Sequence, residues 1–173
     1  MTLKIIQDDI TQLDVDVIVN AANTQLKQGG GVCGAIFQAA GASKLQKACD
    51  LLAPIQTSQA VITPGYDLPA KYIIHVAGPI YANYGPDESE ALLRASYLNA
   101  LKLAAENNLK SIAFPLISSG IYGYPKEKAI EIAISAINQS LLKNEMDVRL
   151  ILFDNPSYTI GKAYLSETSK GKS

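Results

Sequence analysis

A chain of 173 residues with 48% hydrophobic and 18% charged side chains has the composition of one folded domain, neither a disordered segment nor a membrane protein. Fifteen Lys and Arg against sixteen Asp and Glu leave a formal charge of -1, which excludes broad electrostatic capture of nucleic acid or an anionic membrane. Any anion must therefore be held by local geometry.

In chain order, short apolar and β-branched runs bounded by turn residues predict strands over residues 3–6 and 15–19. A helix follows over 34–50, bent near Gly41, and then a weaker strand over 60–63 and a strong one over 72–76. Leucines at 92, 93, 98, 101 and 103 predict a helix over 88–107, ahead of a strand over 111–114. Ile130, Ile134, Ile137 and Leu141 share one face of a helix over 126–143, whose start Pro125 suits. A last strand spans 148–153, and residues 166–173 are polar enough to read as a frayed tail. This alternation predicts the α/β class, with a sheet between two helix layers and a single domain over 1–165. Cys33 and Cys49 are too few for a disulfide framework and lack zinc-site spacing, so a reducing, cytoplasmic setting is expected, and the short apolar run 3–6 ahead of Asp8 and Asp9 is expected to be neither a secretory signal nor a spanning helix.

Two loops carry the chemistry. After the second strand come Asn20-Ala21-Ala22-Asn23 and then Gly29, Gly30 and Gly31 at the head of a helix, where unpaired backbone N–H groups suit a phosphate. Gly29, Gly31 and Gly34 formally satisfy G-x-G-x-x-G. The glycines nonetheless lie too far past the strand, and no acidic residue closes a following strand, so the dinucleotide fingerprint is not met. The nucleotide-hydrolysing phosphate-loop pattern is absent as well. The strand at 111–114 opens into Ser118, Ser119, Gly120, Ile121, Tyr122 and Gly123, again ahead of a helix, with Tyr122 offering a flat face and a hydroxyl to a sugar.

Asn20-Ala21-Ala22-Asn23, Gly29-Gly30-Gly31-Val32, Tyr72-Ile73-Ile74-His75-Val76-Ala77-Gly78-Pro79 and Ile117-Ser118-Ser119-Gly120-Ile121-Tyr122-Gly123-Tyr124-Pro125 together resemble the MacroD-type branch of the macrodomain family. The resemblance covers nearly the whole chain. It implies a three-layer α/β/α sandwich with a mixed, mostly parallel sheet, which binds ADP-ribose or ADP-ribosylated proteins as a monomer without metal or cofactor. It also implies that Asp9 and Ile10 meet the adenine, that Phe153 flanks the ring, and that Asn23 orients the distal ribose. Gly29, Gly30, Gly31 and Val32 would face Ser118, Ser119, Gly120, Ile121 and Tyr122 across the diphosphate.

The family's catalytic stretch differs here. Cys33 stands where MacroD-type hydrolases carry Asp, and Phe37 where they carry His. A free thiol is mostly protonated at neutral pH, so Cys33 is a poor default base. Asn23, Cys33 and Gly30 remain the residues beside the reacting sugar, with water activated by the substrate's own phosphate. Three activities share this pocket: hydrolysis of ADP-ribosyl esters on protein Asp or Glu or in O-acetyl-ADP-ribose, binding without turnover, and dephosphorylation of ADP-ribose 1''-phosphate. His75 reads as a core histidine, Asn20 as a structural residue bonding loop backbone, and Cys49 as helix packing.

Overall fold

The computed structural model describes residues 2–170. Strands β1 (Thr2–Ile6), β2 (Val17–Ala22), β3 (Ala60–Pro64), β4 (Tyr72–Ala77), β5 (Ser111–Phe114) and β6 (Asp147–Ile151) form one sheet in the order β1-β6-β5-β2-β4-β3. Every pair is parallel except β3, which runs antiparallel to β4 at the edge. Helices α1 (Gly31–Ala40) and α2 (Ala42–Asp50) cover one face, and α3 (Gly85–Glu106), α4 (Lys126–Leu141) and α5 (Asn155–Lys170) cover the other. The expected three-layer α/β/α sandwich results.

The period of two along each strand divides the core. Val17, Val19, Ile74, Val76, Ile112, Phe114, Val148 and Leu150 pack under α3 and α4, while Ile18, Ala22, Ile73, Ala77 and Ala113 pack under α1 and α2. Central strands buried on both faces read in sequence as almost continuous apolar runs, and for that reason they are legible. Asn20 and His75 interrupt those runs. They are register partners in β2 and β4, on the face toward α1 and α2, and both are fully buried.

The helices follow from local rules. In α4, Ile130, Ile134, Ile137 and Leu141 are buried at helical spacing. α1 and α2 are separated at Gly41, whose φ of +104° ends the first helix while its N–H still bonds the Phe37 carbonyl. α5 differs from expectation, since residues 166–170 continue a helix where a polar tail was expected; residues 171–173 lie outside the described residues. Its apolar positions, Tyr158, Ile160, Tyr164 and Leu165, are only partly buried against the core, too sparse a stripe to mark a helix by periodicity. Gly161 lets it lie close, because a Cβ there would stand 2.5 Å from Leu152 Cδ1.

Candidate functional site

The carboxyl ends of β2, β4, β5 and β6 open onto one cleft of about 540 Å³, reaching from Asn23 past Gly78 and Pro115 to Phe153. That volume lies within the range of small-molecule sites. The chain leaves β2 toward β4 and β3 on one side and returns to β5 on the other, so the cleft straddles the point where the strand order reverses, where open α/β sheets receive ligands.

One wall is the head of α1. Gly30 takes the N-cap position with extended backbone and no side-chain cap, and Gly31 adopts a φ of +54°. The first bond of the helix runs from Gly34 N to Gly30 O at 3.1 Å, so the N–H groups of Gly31, Val32 and Cys33 have no partner within the helix. Gly34 is needed for contact: a Cβ there would stand 2.5 Å from the Gly29 carbonyl oxygen.

The facing wall is the loop from Pro115 to Tyr122. Ser118 sits at φ +68°, and its hydroxyl donates to the Pro79 carbonyl at 2.8 Å; the Ser119 hydroxyl donates to Leu116 O at 3.2 Å. With both hydroxyls engaged, this wall presents backbone. It is fixed from beneath by the fully buried Tyr97, whose hydroxyl accepts from Ile117 N at 3.0 Å and donates to Pro115 O at 3.4 Å. Beyond the loop, α4 begins at Lys126 without a side-chain cap. Two uncapped helix heads thus direct partial positive charge at the cleft, which suits an anion. The third helix head, that of α5, is already occupied: Asp154 accepts from Ser157 N at 2.8 Å and from its hydroxyl at 2.9 Å, and pairs with Lys126 at 3.3 Å.

The two ends differ in character. At one end Phe153, 77% exposed, rims the opening, while Ile121, 99% exposed, stands out on the Pro115–Tyr122 loop. At the other end Asn23, Cys33 and Tyr122 meet. The Asn23 amide accepts from Lys27 N at 3.0 Å and donates to Lys27 O at 2.9 Å, which leaves one N–H and one lone pair for a ligand. Burial, with a smaller contribution from Cys33, raises the Tyr122 phenol.

Of the residues expected at the site, Asn23, Gly29, Gly30, Gly31, Val32, Cys33, Ser118, Ser119, Gly120, Ile121, Tyr122 and Phe153 line this one cleft. Asp9 and Ile10 do not. Ile10 is buried with the α1 and α2 core, and Asp9 caps a single 3-10 turn, its Oδ1 accepting from Thr11 N at 3.0 Å and from the Thr11 hydroxyl at 2.7 Å. The segment still lies near the Phe153 end, since Gln7 Nε2 donates to the Phe153 carbonyl at 3.1 Å. Sequence reasoning assigned no site role to Gly78, Lys126, Asp154 or Ser157, which also line the cleft. A Cβ on Gly78 would overlap Ile117 Cγ2 and Ser118 Oγ. The Asp-x-x-Ser spacing of a helix cap was the available signal for Asp154 and Ser157.

The expected role of Asn20 needs correction. β2 extends to Ala22, so Asn20 is inside the sheet and bonds side chains, not loop backbone. Its Nδ2 is 3.1 Å from His75 Nδ1 and 3.6 Å from Cys33 Sγ. His75 Nε2 in turn lies 2.9 Å from the Thr63 hydroxyl and 3.9 Å from Cys49 Sγ. Burial lowers the His75 pKa to about 4, so the ring is neutral at physiological pH, and burial likewise raises the Cys49 thiol to about 11.

The macro domain family model matches residues 19–133 of this chain. The chain belongs to the macro domain family. Among its relatives, the ADP-ribose glycohydrolase MACROD2 of Xenopus laevis is 48% identical over 145 residues, which are 84% of this macrodomain and 34% of the relative. This chain therefore spans about a third of that protein's length, and the similarity puts it on the MacroD-type branch. Of solved structures, the Oceanobacillus iheyensis macrodomain with ADP is 42% identical with a TM-score of 0.93, over 98% of this macrodomain and 92% of that chain. The Trypanosoma brucei macrodomain in complex with ADP-ribose is 34% identical with a TM-score of 0.86, over 94% and 68%.

Proposed function

We propose that this macrodomain binds ADP-ribose in the cleft and hydrolyses ADP-ribosyl esters, on protein Asp or Glu side chains or in O-acetyl-ADP-ribose. The observation that carries the reading is the pair of facing backbone walls, Gly29–Cys33 and Pro115–Tyr122, each leading into a helix head without a side-chain cap. A diphosphate between them meets N–H groups and helix dipoles, which explains how a chain of net charge -1 can hold a dianion. In this reading the adenine extends past Phe153 toward Asp9, whose second carboxylate oxygen accepts from its amino group. The distal ribose meets Asn23, Cys33 and Tyr122. Relatives support both halves of the reading, one named as an ADP-ribose glycohydrolase and one solved with ADP-ribose.

In the reaction, Asn23 holds the vicinal hydroxyls of the distal ribose through its remaining donor and acceptor, and Tyr122 packs over the sugar. A water beside Gly30 attacks the anomeric carbon and gives its proton to a phosphate oxygen of the substrate. The carboxylate leaves with the electrons of the broken C–O bond, and ADP-ribose and the free acid are the products. The protein contributes placement and electrostatic stabilisation. Cys33 supplies no carboxylate, and that difference favours the second reading, a domain that holds ADP-ribose without turnover. The free thiols Cys33 and Cys49 fit a cytoplasmic setting.

Incubation with a peptide mono-ADP-ribosylated on Glu, following release of ADP-ribose, tests the proposal. Release that scales with enzyme is expected. Binding in calorimetry with no release at high enzyme concentration leaves the non-catalytic reading, and the absence of both refutes the site.

A further inference from the structure

Beneath the floor of the cleft, Thr63, His75, Asn20 and Cys33 form a polar line through the apolar layer between the sheet and α1. Asn20 Nδ2 carries two hydrogens and has two neighbours, His75 Nδ1 at 3.1 Å and Cys33 Sγ at 3.6 Å. If both are donated, the His75 proton sits on Nε2 and points to Thr63 at 2.9 Å, consistent with a neutral ring. The other end of the Asn20 amide is unusual, because its Oδ1 is buried and has no hydrogen-bond partner among the described residues. An orphaned buried carbonyl is destabilising, and an apolar side chain of similar volume would avoid it, so the amide is kept for its N–H groups.

One of those N–H groups ends on sulfur. Cys33 Sγ then reaches the Lys27 carbonyl at 3.7 Å, and the same carbonyl accepts from Asn23 Nδ2 at 2.9 Å while Lys27 N donates to Asn23 Oδ1 at 3.0 Å. A continuous chain of contacts therefore leads from the rigid sheet through Asn20 and Cys33 to the backbone that orients the Asn23 amide. We infer that Cys33 is a positioning residue, its sulfur braced by Asn20 and His75 and in turn fixing the Lys27 carbonyl against which Asn23 is set. The thiol neither takes a proton nor attacks carbon. Where MacroD-type relatives place a carboxylate to act on the substrate, this chain uses the position to hold its neighbour.

The kinetic part of this inference rests on the hydrolase reading; the brace itself does not. The test compares Cys33→Ala, Cys33→Ser, Asn20→Leu and the Asn20→Leu/Cys33→Ala double variant in ester turnover and in ADP-ribose affinity. It also follows the rate at which iodoacetamide alkylates Cys33, with Cys49 as internal reference. Cys33→Ala and Asn20→Leu should each lower kcat about tenfold with affinity held within about threefold, and the double variant should be no slower than the slower single one. Cys33→Ser, whose hydroxyl keeps both donor and acceptor character but is shorter than the thiol, should recover part of the loss. Without the Asn20 N–H that favours its thiolate, Cys33 should alkylate about tenfold slower in Asn20→Leu. Losses that multiply in the double variant, wild-type kcat in Cys33→Ala, or an unchanged alkylation rate overturn the inference. If the wild type binds ADP-ribose without turnover, the hydrolase reading fails by itself and the alkylation rate decides whether the brace exists. If Asn20→Leu does not fold, Asn20→Ser takes its place under the same criteria.

Discussion

Acid should weaken this fold through a single side chain. His75 is the chain's one histidine, and it lies fully buried between Asn20 and Thr63 with the Phe37 ring 6.5 Å away. Burial lowers its pKa from 6.5 to about 4, so between those values the unfolded chain binds a proton that the folded protein refuses. Stability is therefore complete above pH 6.5 and declines as the pH falls toward about 4. At about 1.4 kcal/mol per pH unit, that gap comes to about 3 kcal/mol, a large fraction of the stability of a typical domain. The lowered carboxyls of Asp50 and Asp154 act in a lower window, beneath 3.8, and their exposed ion pairs with Lys27 and Lys126 contribute little. Urea unfolding at pH 7 and pH 4.5 should show the wild type losing about 2–3 kcal/mol more than His75→Gln, which keeps polar contacts without titrating. The imidazole proton resonance of the folded protein should keep its neutral position through pH 5. Parallel stability curves for the two proteins, or a resonance titrating near 6.5, would refute the burial argument.

Tyr97→Phe leaves the buried Ile117 N–H without its acceptor, which should lower unfolding free energy by about 1–3 kcal/mol and weaken ADP-ribose binding; an unchanged urea midpoint would show that the loop does not depend on this bond. Gly78→Ala places a methyl against Ile117 and Ser118, and calorimetry should find ADP-ribose affinity reduced by about tenfold. Asn23→Ala should lower kcat about a hundredfold while affinity changes by less than about fivefold, and equal losses in both would remove Asn23 from the reaction. Asp9→Ala should weaken adenine-containing ligands by about tenfold and leave ribose 5-phosphate unaffected, which a paired titration would reveal.

Much of the site was readable from residue order because its walls are backbone. A wall built from N–H groups needs small residues at the end of a strand and the start of a helix, so Gly29–Gly31 and Ser118–Gly120 announce themselves without knowledge of what faces them. The strands were legible for a similar reason, since burial on both faces leaves apolar runs at β2, β4 and β5 that polar surface residues do not interrupt. α5 escaped because a helix that buries only part of one face against α4 and β1 carries too weak a stripe.

The local order of residues determined the strand-and-helix alternation, the two loops and hence the kind of ligand. Only tertiary structure decided what lies beneath them. Asn20, Cys33, Thr63 and His75 come from β2, α1, β3 and β4, and their contact depends on strand register and on how α1 lies across the sheet. Hydrogen bonds between residues distant in the chain leave no periodic trace in the sequence, because packing brings the partners together after the local conformations are set.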